Sequence, residues 1–228
     1  MNGVFMPRME ILPPAQQRLW HELRSTVDLG FVLYGGTAIA LRLGHRASVD
    51  FDFFSEQPLD REAIKAGFSF MPKSTVLQDV RDTLSVLVPY GDSTHSHVKV
   101  SFFGSIGFGR VGEPDATQDG VLQVASLEDL MATKVKVVLQ RAEVKDYRDI
   151  AAMLKVGVSL SHGLAAALEI FGPNFQPSES LKALVFFEDG DLNALTQDEK
   201  NILVKAVSAV RELPVTSILS NQLTTQPA

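Results

Sequence analysis

Cysteine is absent from the chain, which removes disulfides, thiolate metal sites and cysteine nucleophiles together. Long apolar runs are absent too: no stretch approaches the ~18–20 residues that a membrane-spanning helix needs. The N-terminal MNGVFMPRME lacks a basic segment followed by an apolar block, so no secretory signal is expected and the predicted location is cytoplasmic. An excess of basic charge is also missing. Lysine and arginine number 21 against 27 acidic residues, for a net charge of −6 and a pI near 5.4. Coating nucleic acid non-specifically requires a basic surface, so an RNA substrate would have to be met by a local basic cleft. Repeats and low-complexity blocks are not found. What is present is 228 residues, 45% hydrophobic and 21% charged. That composition favours a packed core over disorder, in one large domain or two small ones.

The pattern changes character part-way along. A first helix is expected from about Pro13 to Asp28, with Pro-Pro at its start and Leu19, Leu23 and Val27 at intervals of four. Phe31 to Tyr34 reads as a short apolar strand running into Gly35-Gly36, and Thr37 to Leu43 as a helix stopped by Gly44. Val49 to Phe54 reads as a strand, and the residues around Asp60 to Ala66 as a helix. Strands are then expected at Thr75–Val80, Thr83–Pro89 and His97–Phe103, with Gly91-Asp92-Ser93 as a turn. Gly104 to Gly120 holds five glycines and a proline and reads as irregular loop. After Val124 the chain reads as helices separated by Gly/Pro turns. The expected class is α+β, with a mixed sheet-and-helix core over 1–125, a helical region over 126–213 and a polar, frayed tail over 214–228.

Residues 35–54, GGTAIALRLGHRASVDFDFF, carry the candidate chemistry. A strand that empties into Gly-Gly-Thr and a helix aims backbone N–H groups at one point. Glycine lets a phosphate approach closely, and the helix dipole favours an anion there; Thr37 adds a hydroxyl donor. The alternative is a tight strand–helix turn required only by packing. Asp50 and Asp52, two apart on a strand, share a face with Cα atoms roughly 6.5–7 Å apart, while Phe51 and Phe53 turn to the core. Such a pair can converge on one or two divalent cations that bridge nucleotide phosphates. The alternatives are a half-buried strand with a polar face, or the Asp-x-Asp of a nucleotide-sugar transferase.

Strand, Gly-Gly, about a dozen residues and Asp-x-Asp in that order resemble the first motif of nucleotidyltransferases of the AbiEii/AbiGii toxin type, a branch of the polymerase-β superfamily. SLEDLMATKVKVVLQRAEVKDYRDIAAML is similar to that family's later helical motif, through Lys134, Arg141, Lys145, Asp146 and Asp149. The similarity runs from about Leu23 to about Phe187. It implies a polymerase-β-like core and transfer of a nucleoside monophosphate from an NTP to an acceptor, with Mg²⁺ or Mn²⁺ as cofactor. By the resemblance Asp50 and Asp52 hold the metal and Lys134 joins them in catalysis. Gly35, Gly36, Thr37, Arg46, Ser48, Arg141, Lys145, Asp146 and Asp149 belong to the nucleotide site. It also implies the toxin half of a toxin–antitoxin or phage-defence pair, with a cognate antitoxin, and RNA, tRNA ends or protein as acceptor.

If Leu127 to Leu154 is one helix, Lys134, Arg141, Lys145 and Arg148 form a basic stripe within roughly 60°, fit for phosphates or simply solvated. Asp146 then projects into the apolar arc and needs a partner; Arg42 or Arg46 from the N-terminal half is the expected one. Polymerase-β enzymes usually add a third carboxylate from a neighbouring strand. The candidate, HVKVSFF, offers His97, Lys99 and Ser101 on its polar face, none of them acidic. Asp79 and Asp82 stand nearby with no direction assigned. A chain without that carboxylate can work with one metal, recruit another acid, or bind nucleotide without turning it over, and Lys99 can partly replace a metal's charge or be an exposed strand lysine. His45 reads as a phosphate contact or a solvated loop residue, and His95 and His97 lack zinc-site spacing.

Overall fold

The computed structural model describes residues 3–90 and 97–225, and its chain divides into two compact units. The first comprises 1–108, 113–125 and 221–228; the second comprises 109–112 and 126–220. The expected turn at Gly91-Asp92-Ser93 and the histidine at His95 lie outside the described residues.

The first unit is built on one mixed sheet. Its strands are β1 (Val4–Phe5), β2 (Val32–Tyr34), β3 (Asp50–Phe54), β4 (Thr75–Val80), β5 (Thr83–Pro89), β6 (His97–Phe103), β7 (Asp115–Thr117) and β8 (Gln123–Val124). They lie in the order β1-β7-β8-β2-β3-β6-β5-β4. β3 runs antiparallel to β2 and parallel to β6, and β4, β5 and β6 form an antiparallel set. Alternation along β3 and β6 sends Phe51, Phe53, Val98, Val100 and Phe102 into the core, all fully buried. Phe51 stacks on Phe53 and Phe53 on Phe102, with centroids 6.2 and 5.7 Å apart, and Phe68 closes on Phe102 at 5.3 Å. Each such side chain contributes on the order of 1.5–3 kcal/mol by leaving water, so the face of β3 opposite the aspartates is firmly committed to the interior.

The helices of this unit are α1 (Pro14–Leu19), α2 (Ser25–Asp28), α3 (Gly35–Leu43) and α4 (Arg61–Gly67). The single helix expected from Pro13 to Asp28 is in fact three pieces, with a 3₁₀ segment at Trp20–Arg24 between α1 and α2. There the fully buried Trp20 donates its indole N–H to Asp119 at 2.7 Å. α3 ends where its sequence says: Gly44 is left-handed (φ +67°) and returns its N–H to Ala40. α4 is capped by Asp60, which accepts from the Ala63 N–H. The glycine-rich 104–120 segment is not wholly irregular, because it contains β7, joined to β1 and β8. The Thr117 hydroxyl accepts from the Val121 and Leu122 N–H groups and holds the turn into β8.

The second unit contains α5 (Leu127–Val137), α6 (Val144–Lys155), α7 (Leu160–Phe171), α8 (Pro177–Ala183) and α9 (Gln197–Ala209). α5 is capped by Ser126 and α9 by a Thr196–Glu199 capping box. The continuous helix expected over Leu127–Leu154 is broken. Glu143 is extended (φ −111°, ψ 127°), and the Val144 N–H that opens α6 is taken by Asp191 at 2.6 Å. The basic stripe therefore does not form as one face: Lys134 is on α5, Arg141 in the connection, and Lys145 and Arg148 on α6. The described part of the expected tail, to residue 225, makes defined contacts. Leu219 and Ser220 bond to the Arg110 carbonyl, and Leu223 is fully buried, with its N–H on Glu56.

Candidate active site

β2, α3 and β3 bring the glycine bend to the aspartates. Because β3 returns antiparallel to β2, Asp52 lies directly beside Tyr34, the last residue before Gly35. Gly35 has φ +75°, and a Cβ built on it would stand 3.1 Å from Asp52 Oδ2. The carboxylate of Asp52 thus points at the bend and occupies the space a side chain would need. α3 starts at Gly35 with no capping bond from the side chain of its N-cap residue, Tyr34, and its half-exposed first residues carry the positive end of the helix dipole toward Asp52. Asp50 and Asp52 are both half-buried on one face, as the spacing requires.

Beneath this face a hydroxyl relay fixes β3. Thr37 and Ser48, both buried, share a hydrogen bond at 2.7 Å, and Thr37 donates to the backbone carbonyl of Asp50. Both residues were expected to meet nucleotide; in the structure the Ser48 hydroxyl meets Thr37 and the Thr37 hydroxyl meets the Asp50 carbonyl. A Thr-to-carbonyl bond from inside the fold leaves no periodicity in the sequence, so that role was not visible there. Arg46, half-buried in the α3–β3 connection, donates to the Ala47 carbonyl at 3.0 Å.

Gly35→Ala is expected to separate activity from stability. Forcing a Cβ into the left-handed region costs about 1–2 kcal/mol, and the contact with Asp52 Oδ2 must be relieved by moving the carboxylate. Misplacement on the ångström scale costs about 100-fold in rate, so any nucleotidyl transfer should fall at least tenfold with only a modest drop in melting temperature. Unchanged turnover would mean the bend and the carboxylate do not act together.

Among the described residues no third acid joins the pair. Register with β3 places Lys99 beside Asp50 and Ser101 beside Asp52. Ser101 is fully buried and accepts from Ser85 at 3.1 Å. Asp79 lies across from Leu84, itself across from Phe102, which puts it on the core side of the sheet, and it pairs with Arg61 at 2.7 Å. Asp82 accepts from Ser105 in the β4–β5 turn. Among the described residues no group of three or more His, Asp or Glu is placed to hold a metal ion. Two carboxylates nevertheless suit Mg²⁺, which takes one or two protein carboxylates and fills the remaining positions with water and substrate phosphate oxygens.

The residues of the helical motif lie within the second unit. Lys134 Nζ lies 2.5 Å from Asp146 and 2.7 Å from Asp149, with its side chain 6% exposed and both carboxylates at 0%. Arg141 adds a second bond to Asp146 at 2.8 Å. The partner expected for Asp146, Arg42 or Arg46, is not the one found. Arg42 is committed within the first unit to Asp115 at 2.7 Å and to the carbonyls of Val124 and Ala125. The helix break explains the difference. Twelve residues along one helix would hold Lys134 and Asp146 ~18 Å apart, so only a hairpin lets them meet. Lys145 is exposed and pairs with Glu143 at 2.8 Å.

Burial pushes the Asp146 carboxyl upward, but the hydrogen bond from Arg141 and the charge and hydrogen bond of Lys134 outweigh it, leaving Asp146 below the ordinary carboxylate range. A carboxylate lowered by folding stabilises the protein above its unfolded value of ~3.9 and loses that contribution as pH falls through the folded value. The urea midpoint of the wild type should therefore fall on acidification below about pH 4, and more steeply than that of Asp146→Asn. Parallel acid limbs in the two proteins would contradict the assignment.

Residues 18–216 match the family described as nucleotidyl transferase AbiEii toxin, type IV toxin–antitoxin system. The chain belongs to the AbiEii nucleotidyltransferase toxin family. It is 32% identical over 174 residues to an uncharacterized protein of Aquifex aeolicus (strain VF5), spanning 73% of this chain and 80% of that one. Two solved structures share the fold. A candidate nucleotidyltransferase from H. pylori superposes with a TM-score of 0.58 at 16% identity, over 85% of this chain and 92% of its own. MenT4, a nucleotidyltransferase toxin from Mycobacterium tuberculosis H37Rv, gives 0.57 at 12% identity, over 86% and 84%. The AbiEii chain is thus a nucleotidyltransferase of α+β architecture. Among its described residues no helix is long and apolar enough to cross a membrane.

Proposed function

We propose that the protein transfers a nucleoside monophosphate from an NTP to an acceptor hydroxyl, acting as the cytoplasmic toxin of a toxin–antitoxin pair. The observation that carries this reading is the Asp52 carboxylate set against the Gly35 bend, with Asp50 on the same face of β3. In the reaction the acceptor hydroxyl gives up its proton to solvent as its oxygen forms a bond to the α-phosphorus, the bond from that phosphorus to the α–β bridging oxygen breaks, and pyrophosphate leaves. Asp50 and Asp52 are the residues that would hold Mg²⁺ or Mn²⁺, which supplies charge neutralisation to the phosphates when bound. The Gly35 and Gly36 N–H groups orient phosphate oxygens at the positive end of α3. Thr37 and Ser48 keep Asp50 in place through its carbonyl. Arg46 stands in the connection between α3 and β3, suited to the rim of the nucleotide.

The helical motif contributes differently. Lys134 is already saturated by two buried carboxylates, and Arg141 and Lys145 share their charge with Asp146 and Glu143. We assign Lys134, Arg141, Asp146 and Asp149 to holding the α5–α6 hairpin. RNA, with tRNA ends as the first choice, is the acceptor class we favour; a cognate antitoxin completes the pair.

The test is incubation of the purified protein with α-labelled NTPs, Mg²⁺ and total RNA, beside Asp52→Asn. Label on RNA that disappears in the variant is the expected result. One observation favours a second reading, a nucleotide-binding module without turnover: the position beside Asp52 on β6 is a buried serine rather than an acid. NTP binding without transfer to RNA or protein, across several metals, would select it.

A further inference from the structure

Lys99 is the one charged side chain that the β3–β6 register sets beside the aspartate pair. It lies across from Asp50, and its neighbours along β6, Val98 and Val100, are fully buried on the other face. Alternation therefore sends Lys99, half-buried, out of the same face as Asp50 and Asp52. Opposite charges placed side by side on adjacent strands ordinarily pair. Here they do not: among the described residues neither Lys99 nor the Asp50 carboxylate takes part in an ion pair. The sheet thus holds an ammonium and a carboxylate next to each other, each available to a third group. A group that satisfies both is a phosphate, which accepts from the ammonium directly and meets the carboxylates through a shared divalent cation.

We propose that Lys99 is a phosphate-binding residue of this site, standing where a second divalent cation would otherwise be held, so that the site takes one cation per chain. An ammonium repels a second cation at that position, whereas a carboxylate would recruit one. The proposal rests on the nucleotidyltransferase reading above. The phosphate it binds belongs either to the NTP or to the acceptor's backbone, and the experiment separates them.

Binding of a non-hydrolysable NTP analogue is measured by calorimetry with Mg²⁺ and with EDTA, and Mn²⁺ stoichiometry with the analogue by electron paramagnetic resonance. Wild type, Lys99→Met, Lys99→Arg and Lys99→Glu are compared, each checked for an unchanged melting temperature. The expected result is one Mn²⁺ per wild-type chain and a loss of analogue affinity of about tenfold or more in Lys99→Met. Lys99→Arg should stay close to wild type, and Lys99→Glu should admit a second Mn²⁺. If Lys99→Met instead keeps analogue affinity but raises the KM for RNA by a similar factor, the phosphate is the acceptor's and the assignment stands. Wild-type analogue affinity, RNA KM and metal count in Lys99→Met and Lys99→Glu would overturn it while leaving the nucleotidyltransferase reading intact. A wild-type protein that binds no NTP analogue at all would overturn both.

Discussion

Asp52→Asn is expected to reduce nucleotidyl transfer by at least ~10³-fold while leaving the protein folded. Loss of a single preorganised electrostatic contact at a reacting centre typically costs about 10²–10³. Asp52 contributes more than one such effect: it shares a face of β3 with Asp50, and it sits within reach of the first turn of α3. Asparagine keeps the shape and loses the charge, so the void and clash terms that complicate a change to alanine do not arise. The stability effect should be small. The side chain is half-buried, not core, and the favourable interaction of a carboxylate with a helix N-terminus is worth only about 0.3–1 kcal/mol. Asp50→Asn should behave similarly, and the double variant little worse than either, because residues that act as a unit lose their joint function once. Transfer within a few-fold of wild type in either single variant would remove the aspartates from the chemistry.

Periodicity made much of the first unit legible. The strands Thr75–Val80, Thr83–Pro89 and His97–Phe103 have the bounds that apolar alternation suggests, and the shared face of Asp50 and Asp52 follows from the same period of two. Gly44 as the stop of α3 was visible because only a left-handed residue ends the helix there without strain. Long-range partnership was harder to read. A helical wheel assumes a straight axis, and the extended Glu143 breaks that assumption between Lys134 and Asp146. The need of Asp146 for a cation was evident from its position among apolar residues, but the identity of that cation depended on the hairpin. Thr37 shows a different limit: a hydroxyl beside a glycine bend serves a phosphate or a carbonyl equally well, and its bond to the Asp50 carbonyl is legible only in three dimensions.

The second large effect is expected at Lys134, on folding more than on chemistry. Lys134→Met leaves Asp146 and Asp149, both fully buried, without the ammonium that pairs with both of them, while Arg141 keeps its bond to Asp146. Removing one partner from a buried ionic network costs about 3–5 kcal/mol, because the remaining charges stay in a poorly solvating interior. Against a total stability of about 5–15 kcal/mol that is a large share, and for a chain of this size it corresponds to a fall in melting temperature of roughly 10 °C. The triple variant Lys134→Met/Asp146→Asn/Asp149→Asn should recover part of the loss, since neutral amides cost far less to bury than unpaired carboxylates. That ordering, with the single variant less stable than the triple, distinguishes a lysine that neutralises its neighbours from one held ready for substrate. For the latter the single variant would melt near wild type and fail only in NTP binding. At a temperature where Lys134→Met remains folded, the hairpin assignment requires NTP affinity close to that of the wild type.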